Sequence, residues 1–249
     1  MGVNQNRRAI QTQRPSIRRL VRKRASLNLA PTSHSPFPDT AQEHALEVLS
    51  LAGVPSGIRY KATHPAAPSP HLITYEFPHL AYTTHPDFQA VANQTLSQDL
   101  IDRIYAHASF DIRFYAELPT PSPPHASPAD PDSVLALASI SLSPVAGREA
   151  EFLVWFAKGL AEGLQSVEGF VRLRRFEFVN GVVRERNVVS VPERPRYLVL
   201  AKFEGGVESV EEEVERCVAG AGAVSAEIGW YAVKKVWAEG EVQKVGEAP

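Results

Sequence analysis

The side chains in this sequence that could do chemistry near neutral pH are few. His44 shares a helix face with Ala41, Ala45 and Val48, so its ring points along the edge of the interior. An imidazole there can accept or donate a proton in an apolar pocket, or act as a hydrogen-bonded core histidine. Arg59, Arg174 and Arg175 lie on stretches with strand alternation; inward-facing guanidinium groups could hold a carboxylate or polarise a carbonyl. The competing use is a salt bridge to Glu117 or Glu177 at the sheet rim. Tyr60 and Tyr75 offer phenolic hydroxyls to the same space, or serve as wall residues. The catalytic expectation is therefore His44, Arg59, Tyr60 and Tyr75, with Trp155, Arg174 and Arg175 as pocket candidates in the second half.

Other chemistries have little support. His64, His71, His79, His85 and His125 stand in loops or beside prolines without zinc spacing, and His107 falls at a helix end, where a positive charge suits the dipole. The single cysteine, Cys217, sits on an apolar helical stripe and reads as a structural thiol. No G-x-S-x-G, H-E-x-x-H or phosphate-loop pattern occurs. No metal and no cofactor is expected.

The elements that must position these groups repeat. Gly53 to Tyr60 aligns without gaps on Gly169 to Phe176, and Tyr115 falls the same distance before Tyr231. A period of 116 residues means a duplicated domain rather than a solenoid. In the second half, Val134 to Leu142 reads as a strand, followed by a helix from about Arg148 with its stripe at Phe152, Trp155, Phe156, Leu160 and Leu164. Gly169 ends that helix. Val171 to Val179 alternates, with Arg172, Arg174, Phe176 and Phe178 on one face and Leu173 and Arg175 on the other. Asn180-Gly181 reads as a turn. A strand at Tyr197 to Phe203, a helix from about Val207 and a strand at Trp230 to Trp237 complete β-α-β-β-α-β, the ferredoxin-like unit.

The first half has the same order: a weak strand at Ala25 to Ala30, a helix from Asp39 to Ala52, strands at 57–63 and 71–77, a helix from Pro86 to about His107 and a strand at Phe110 to Leu118. Ile73, Tyr75, Phe77 and Trp237 are too apolar for sheets with one solvated face. The expectation is an α+β fold: two ferredoxin-like modules, 24–118 and 134–238, packed sheet to sheet within one chain as a pseudo-dimeric barrel. The Pro/Ser-rich segment 119–133 is the linker and 239–249 a tail.

Hydrophobic content of 44% with 22% charged residues is that of a soluble globular protein, and no apolar run is long enough to cross a bilayer. The net charge of -2 conceals an asymmetry: residues 1 to 38 carry eight basic side chains and no acid, leaving 18 basic against 28 acidic residues in the remainder. Such a head suits a mitochondrial presequence, a nucleic-acid arm or a disordered extension. Residues 1–23 are expected to be a disordered basic extension, so that a chain starting near Lys23 would melt at the same temperature. The body lacks a basic face with exposed aromatics, so no nucleic-acid partner and no membrane association is expected, and the location reads as cytoplasmic with a mitochondrial alternative.

On these residues the chain resembles the EthD-like branch of the dimeric α/β barrel superfamily, in its fungal two-module form. Glu151-Phe152, Trp155-Phe156, Val167-Glu168-Gly169 and Arg174-Arg175-Phe176 carry the resemblance in the second half, and Glu43-His44, Gly53 and Arg59-Tyr60 in the first. It covers roughly residues 40 to 118 and 134 to 238. Leu160 stands where the second module would have its histidine, and Asp39-Thr40 where the first would have its aromatic pair. The resemblance implies a cofactor-independent enzyme of secondary metabolism. Its ligand would be a small hydrophobic or aromatic molecule, such as a polyketide-like substrate, undergoing decarboxylation, cyclisation or a related proton transfer. The alternative is a non-catalytic ligand-binding or stress-associated barrel with decayed sites.

Overall fold

Two runs of alternating residues, one in each half of the chain, build a single curled antiparallel sheet. A computed structural model describes residues 19–27, 48–92 apart from 52 and 78, 108–120, and 135–237 apart from 186, 187, 193, 194, 221 and 223. The first half supplies β1 (Arg19–Leu27), β2 (Ser56–Ala62), β3 (His71–Phe77), helix α1 (Pro86–Ala92) and β4 (Ala108–Leu118). The second supplies β5 (Leu135–Pro144), helices α2 (Glu149–Val154) and α3 (Leu160–Gln165), and β6 (Phe170–Glu185). It continues with β7 (Val188–Ser190), β8 (Tyr197–Glu204), α4 (Glu211–Ala219) and β9 (Val224–Trp237). A π-helical turn, Trp155–Gly159, joins α2 to α3.

The strand order is β4-β1-β3-β2-β9-β5-β8-β6-β7, and β4 also pairs with β6. Eight strands therefore close on themselves, leaving β7 as an appendage of β6. Within each half the order is fourth, first, third, second, as in a ferredoxin-like sheet. The seams are β2 with β9, Gly57 opposite Trp237 to Ala62 opposite Tyr231, and β4 with β6, Ser109 opposite Glu185 to Leu118 opposite Arg175.

Alternation sorts the strand residues into two faces. The inner face gathers Tyr60, Leu72, Tyr115, Leu137, Phe176, Leu198, Leu200 and Tyr231 into one buried cluster drawn from both halves. The outer face of the second half, with Ala138, Ile140, Val199 and Phe203, packs under Phe152, Phe156, Leu160, Leu164 and Val214 of its helices. The outer face of the first half packs Ile73, Tyr75, Phe77 and Trp237 with Val48, Leu49 and Val54. Gly169, at φ 76, occupies the left-handed conformation that turns the chain from α3 into β6.

Three sequence expectations change. Asn180-Gly181 is not a turn: β6 runs straight through it, and Asn180 and Gly181 sit opposite Phe114 and Arg113 on the seam. The glycine serves close approach instead, since a Cβ there would lie 2.6 Å from the Ile112 carbonyl oxygen. The fourth strand of the second half begins at Val224, six residues before Trp230. The first strand is Arg19–Leu27 rather than Ala25–Ala30, so part of the segment 1–23 enters the sheet. The linker segment 121–133, the tail from 238, and most of the two first-half helices lie outside the described residues.

β1 sits between β3 and β4, with Arg19 opposite both Phe77 and Ala116. A chain beginning at Lys23 loses four residues of pairing on each side of a strand inside the barrel. It is expected to melt below the full chain, in contrast to the sequence-based expectation; equal thermal midpoints would show that the first turns of β1 add nothing to the fold.

Candidate functional site

The expected site residues fall on two different faces of the sheet. Tyr60 and Arg174 point into the barrel, whereas Arg59 and Tyr75 belong to the outer face, where Arg59 lies opposite Ile73 and Gly57 opposite Tyr75. Tyr60 therefore cannot join Tyr75 in one pocket. His44, and His107 and His125 with it, lie outside the described residues. Trp155 packs against Phe152 at the edge of the second-half core. Arg175 is spent on the backbone: it donates to the Phe156 carbonyl at 2.5 Å, to that of Ala157 at 2.9 Å and to that of Pro119. The π-turn leaves carbonyls without their helical partners, and this guanidinium supplies the missing donors.

On the outer face of the first half, Gly57 lies opposite Tyr75 on one side and Trp237 on the other. Having no side chain, it forms a floor on which the Tyr75 ring and the Leu49 Cδ2 methyl pack, 3.1–3.3 Å from where a Cβ would stand. Above this floor sits an aromatic group: Phe77 lies 6.2 Å from Tyr82 and 5.6 Å from Phe88, which lies 6.2 Å from Phe114. Three hydrogen-bonding atoms here, Tyr75 Oη, Tyr82 Oη and Trp237 Nε1, are buried without a hydrogen-bond partner among the described residues. Burial also pushes the Tyr75 phenol well above its ordinary value, so it stays a proton donor at every physiological pH. Arg59 forms no hydrogen bond or ion pair with the described residues.

The inner face holds a second polar group at one mouth of the barrel. Arg174 donates from Nε and Nη2 to Glu117 at 2.8 and 2.9 Å and from Nη1 to Glu76, so the glutamate expected from sequence is joined by one that was not. Thr74, Tyr60, Arg172 and Lys202 line the same mouth around a cavity of about 40 Å³. Burial lifts the Tyr60 phenol to about 12, a rise only partly offset by a hydrogen bond with Thr74 and by Arg172 and Arg174. Burial, with Arg172 and Arg174 adding repulsion, lowers Lys202 from 10.5 to about 8. Sequence reading passed over Lys202 because one lysine in an apolar strand looks like an exposed rim residue.

Elsewhere, a 260 Å³ groove between the 64–69 loop and β9 is bordered by His64, which pairs with Glu211 at 3.2 Å. Among the described residues no group of three His, Cys, Asp or Glu is placed to hold a metal, and no helix is long and apolar enough to cross a membrane. No histidine stands on the second-half helices, so that layer offers no such ligand to a haem iron.

The chain matches no protein-family model and no curated protein sequence. Its likenesses are to solved structures. An anthrone oxidase-like protein superposes with a TM-score of 0.54 at 11% identity, over 91% of this chain and 95% of the other. A chlorite dismutase variant from Candidatus Nitrospira defluvii gives 0.54 at 8%, over 89% and 93%. A candidate monooxygenase from Fusobacterium nucleatum gives 0.51 at 9%, over 90% and 96%. Identities this low speak for the fold, a ferredoxin-like dimeric α/β barrel, and for nothing finer.

Two predictions follow from the barrel mouth. Arg174→Met strands two partly buried carboxylates, and removing one partner of such a group costs about 3 kcal/mol or more, read as a lower urea midpoint. A midpoint within error of wild type would mean that water already screens the group. Lys202 has a folded pKa of about 8 against 10.5, so between those values the unfolded chain holds a proton that the folded chain has released. Stability from this group is lowest below that window and rises with pH through it. Lys202→Met is therefore expected to be more stable than wild type at about pH 7, by a margin that shrinks towards about pH 10.

Proposed function

We propose that this chain is a small-molecule enzyme of the EthD-like type, acting by proton transfer on an aromatic, polyketide-like ketone or phenol bound to the first half. The observation that carries this reading is the trio of buried groups without a hydrogen-bond partner among the described residues, Tyr75 Oη, Tyr82 Oη and Trp237 Nε1, set among aromatic rings beside Gly57. A buried donor without an acceptor costs about 1–3 kcal/mol, and three in one cluster are accounted for when a ligand supplies the acceptors. The aromatic rings select a flat apolar body, and the Tyr75 and Trp237 donors select its oxygen. Anthrone, the compound class named for one structural neighbour, has this form.

In this reading the keto oxygen accepts hydrogen bonds from Tyr75 and Trp237. His44, four residues before Val48 of the same cluster, removes a proton from the neighbouring carbon. The electron pair moves onto the oxygen, where the two donors stabilise the enolate in a site closed to water. Arg59, on the same face, would pair with a carboxylate if the substrate carries one.

The second half supports the view that only one module retains a site. Its helical layer is filled by Phe152, Phe156, Leu160 and Leu164, each buried, and Leu160 takes the histidine's place.

Anthrone binding, followed by quenching of tryptophan fluorescence, and exchange of its methylene protons with deuterium, followed by NMR, test the proposal separately. Tyr75→Phe is expected to weaken binding about threefold to tenfold. His44→Gln is expected to keep binding and slow exchange about 10²- to 10⁴-fold. Absence of saturable binding sinks the site; binding with exchange indifferent to His44 leaves a ligand-binding barrel and removes the catalytic step.

A further inference from the structure

The inner face of the sheet, opposite to the aromatic cluster, carries a charge arrangement that the proposed chemistry leaves unused. At one mouth of the barrel five ionisable side chains converge from three strands and the β4 end: Glu76 of β3, Glu117 of β4, Arg172 and Arg174 of β6, and Lys202 of β8. Both carboxylates are committed to a single guanidinium, Arg174, which uses Nε and both terminal nitrogens on them. Neither Arg172 nor Lys202 forms a hydrogen bond or an ion pair with the described residues. Each nonetheless borders the same cavity, with Tyr60, Thr74 and Ser56 around it. Two cations are thus left over in a partly enclosed space whose anions are already spoken for.

We propose that this mouth is an oxyanion-binding site, in which Arg172 and Lys202 together hold the carboxylate or phosphate group of a small ligand. The geometry sets its size. The cavity measures about 40 Å³, room for only a few waters at about 10–15 Å³ each, so it admits an anionic head group and not an aromatic body. The register sets its shape. Arg172 lies opposite Lys202 across β6 and β8, so the two side chains project to the same face from adjacent strands. A planar guanidinium can grip two oxygens while the ammonium approaches as a point charge.

The electrostatics of the mouth agree. Lys202 is held near 8 by burial first and by Arg172 and Arg174 next, with Glu76 opposing them. An anion would supply the counter-charge that Glu76, tied to Arg174, does not. Lys202 would then regain its proton, so binding and protonation are linked, and each must favour the other. The site is independent of the first-half aromatic cluster, which lies on the other side of the sheet, and either can fail without the other.

The test uses the full chain and two probes, inorganic phosphate and acetate, in titration calorimetry against chloride at matched ionic strength. Saturable binding of at least one probe is expected. It should be weakened tenfold or more by Arg172→Gln and by Lys202→Met, with circular dichroism confirming that both variants remain folded. Arg216→Gln, at an exposed helix residue, should change nothing. Repeating the titration slightly above the Lys202 value of about 8, in two buffers of different ionisation enthalpy, should reveal proton uptake that Lys202→Met abolishes. Tighter binding of phosphate than acetate would assign a phosphate group, and the reverse a carboxylate. Binding no stronger than chloride's, or equally strong in both variants, would overturn the proposal.

Discussion

Each half of the sheet has two faces that must leave water, and helices can cover only one of them. The second face is buried by closure: β2 pairs with β9 and β4 with β6, and the eight strands then enclose a shared interior. Tyr60 and Tyr115 of one half meet Phe176 and Tyr231 of the other there, each 2% exposed or less. These are the residues that fall at equivalent places in the sequence repeat. Closure also removes the open edges on which sheets aggregate. Neither half could bury its inner face alone, so the seams hold the fold together and every site is placed relative to them.

The same closure explains why polar groups gather where they do. The middle of the barrel is filled by the large rings of Tyr60, Tyr115, Phe176 and Tyr231. Among the described residues, charged side chains of the inner face gather on either side of these rings. Arg113 with Asp111 at 2.7 Å, along β4 from the Arg174 group, is one example. The Arg174 group closes the other end and ties β3, β4 and β6 by side chains where no backbone ladder joins β3 to β6. A buried ionic tie of this sort adds specificity of register more than stability, because desolvation offsets much of the attraction.

Much of this was legible in the sequence wherever a pattern is local. Period-two alternation placed Arg172, Arg174 and Phe176 together on β6, and the helical stripe from Phe152 to Leu164 lies buried as its spacing implies. What was missed depends on partners far along the chain. Asn180-Gly181 has the composition of a turn, and only the seam with β4, some 66 residues earlier by the Phe114–Asn180 pairing, makes it strand. Arg19–Leu27 has the composition of a charged extension, and its place between β3 and β4 comes from topology. Glu76 reaches Arg174 across 98 residues, a pairing without a local signal.

Positions that align between the two halves of the sequence are packed differently in the two halves of the barrel. Gly57 of the first half aligns with Leu173 of the second: where the glycine leaves a floor beneath Tyr75, Leu173 is 5% exposed and belongs to the filled core. Arg59 aligns with Arg175, and Arg175 is consumed by the carbonyls of Phe156, Ala157 and Pro119. That guanidinium stabilises the π-turn, and the turn in turn brings Phe156 against Tyr197 with ring centroids 5.0 Å apart. A side chain that closes a core in this way is no longer available to a ligand. Its counterpart Arg59 forms no such bond with the described residues and stands two residues along the strand from Gly57. At these equivalent positions the halves differ by one substitution, glycine against leucine, while an arginine kept in both closes the core in the second half and forms no such bond with the described residues in the first.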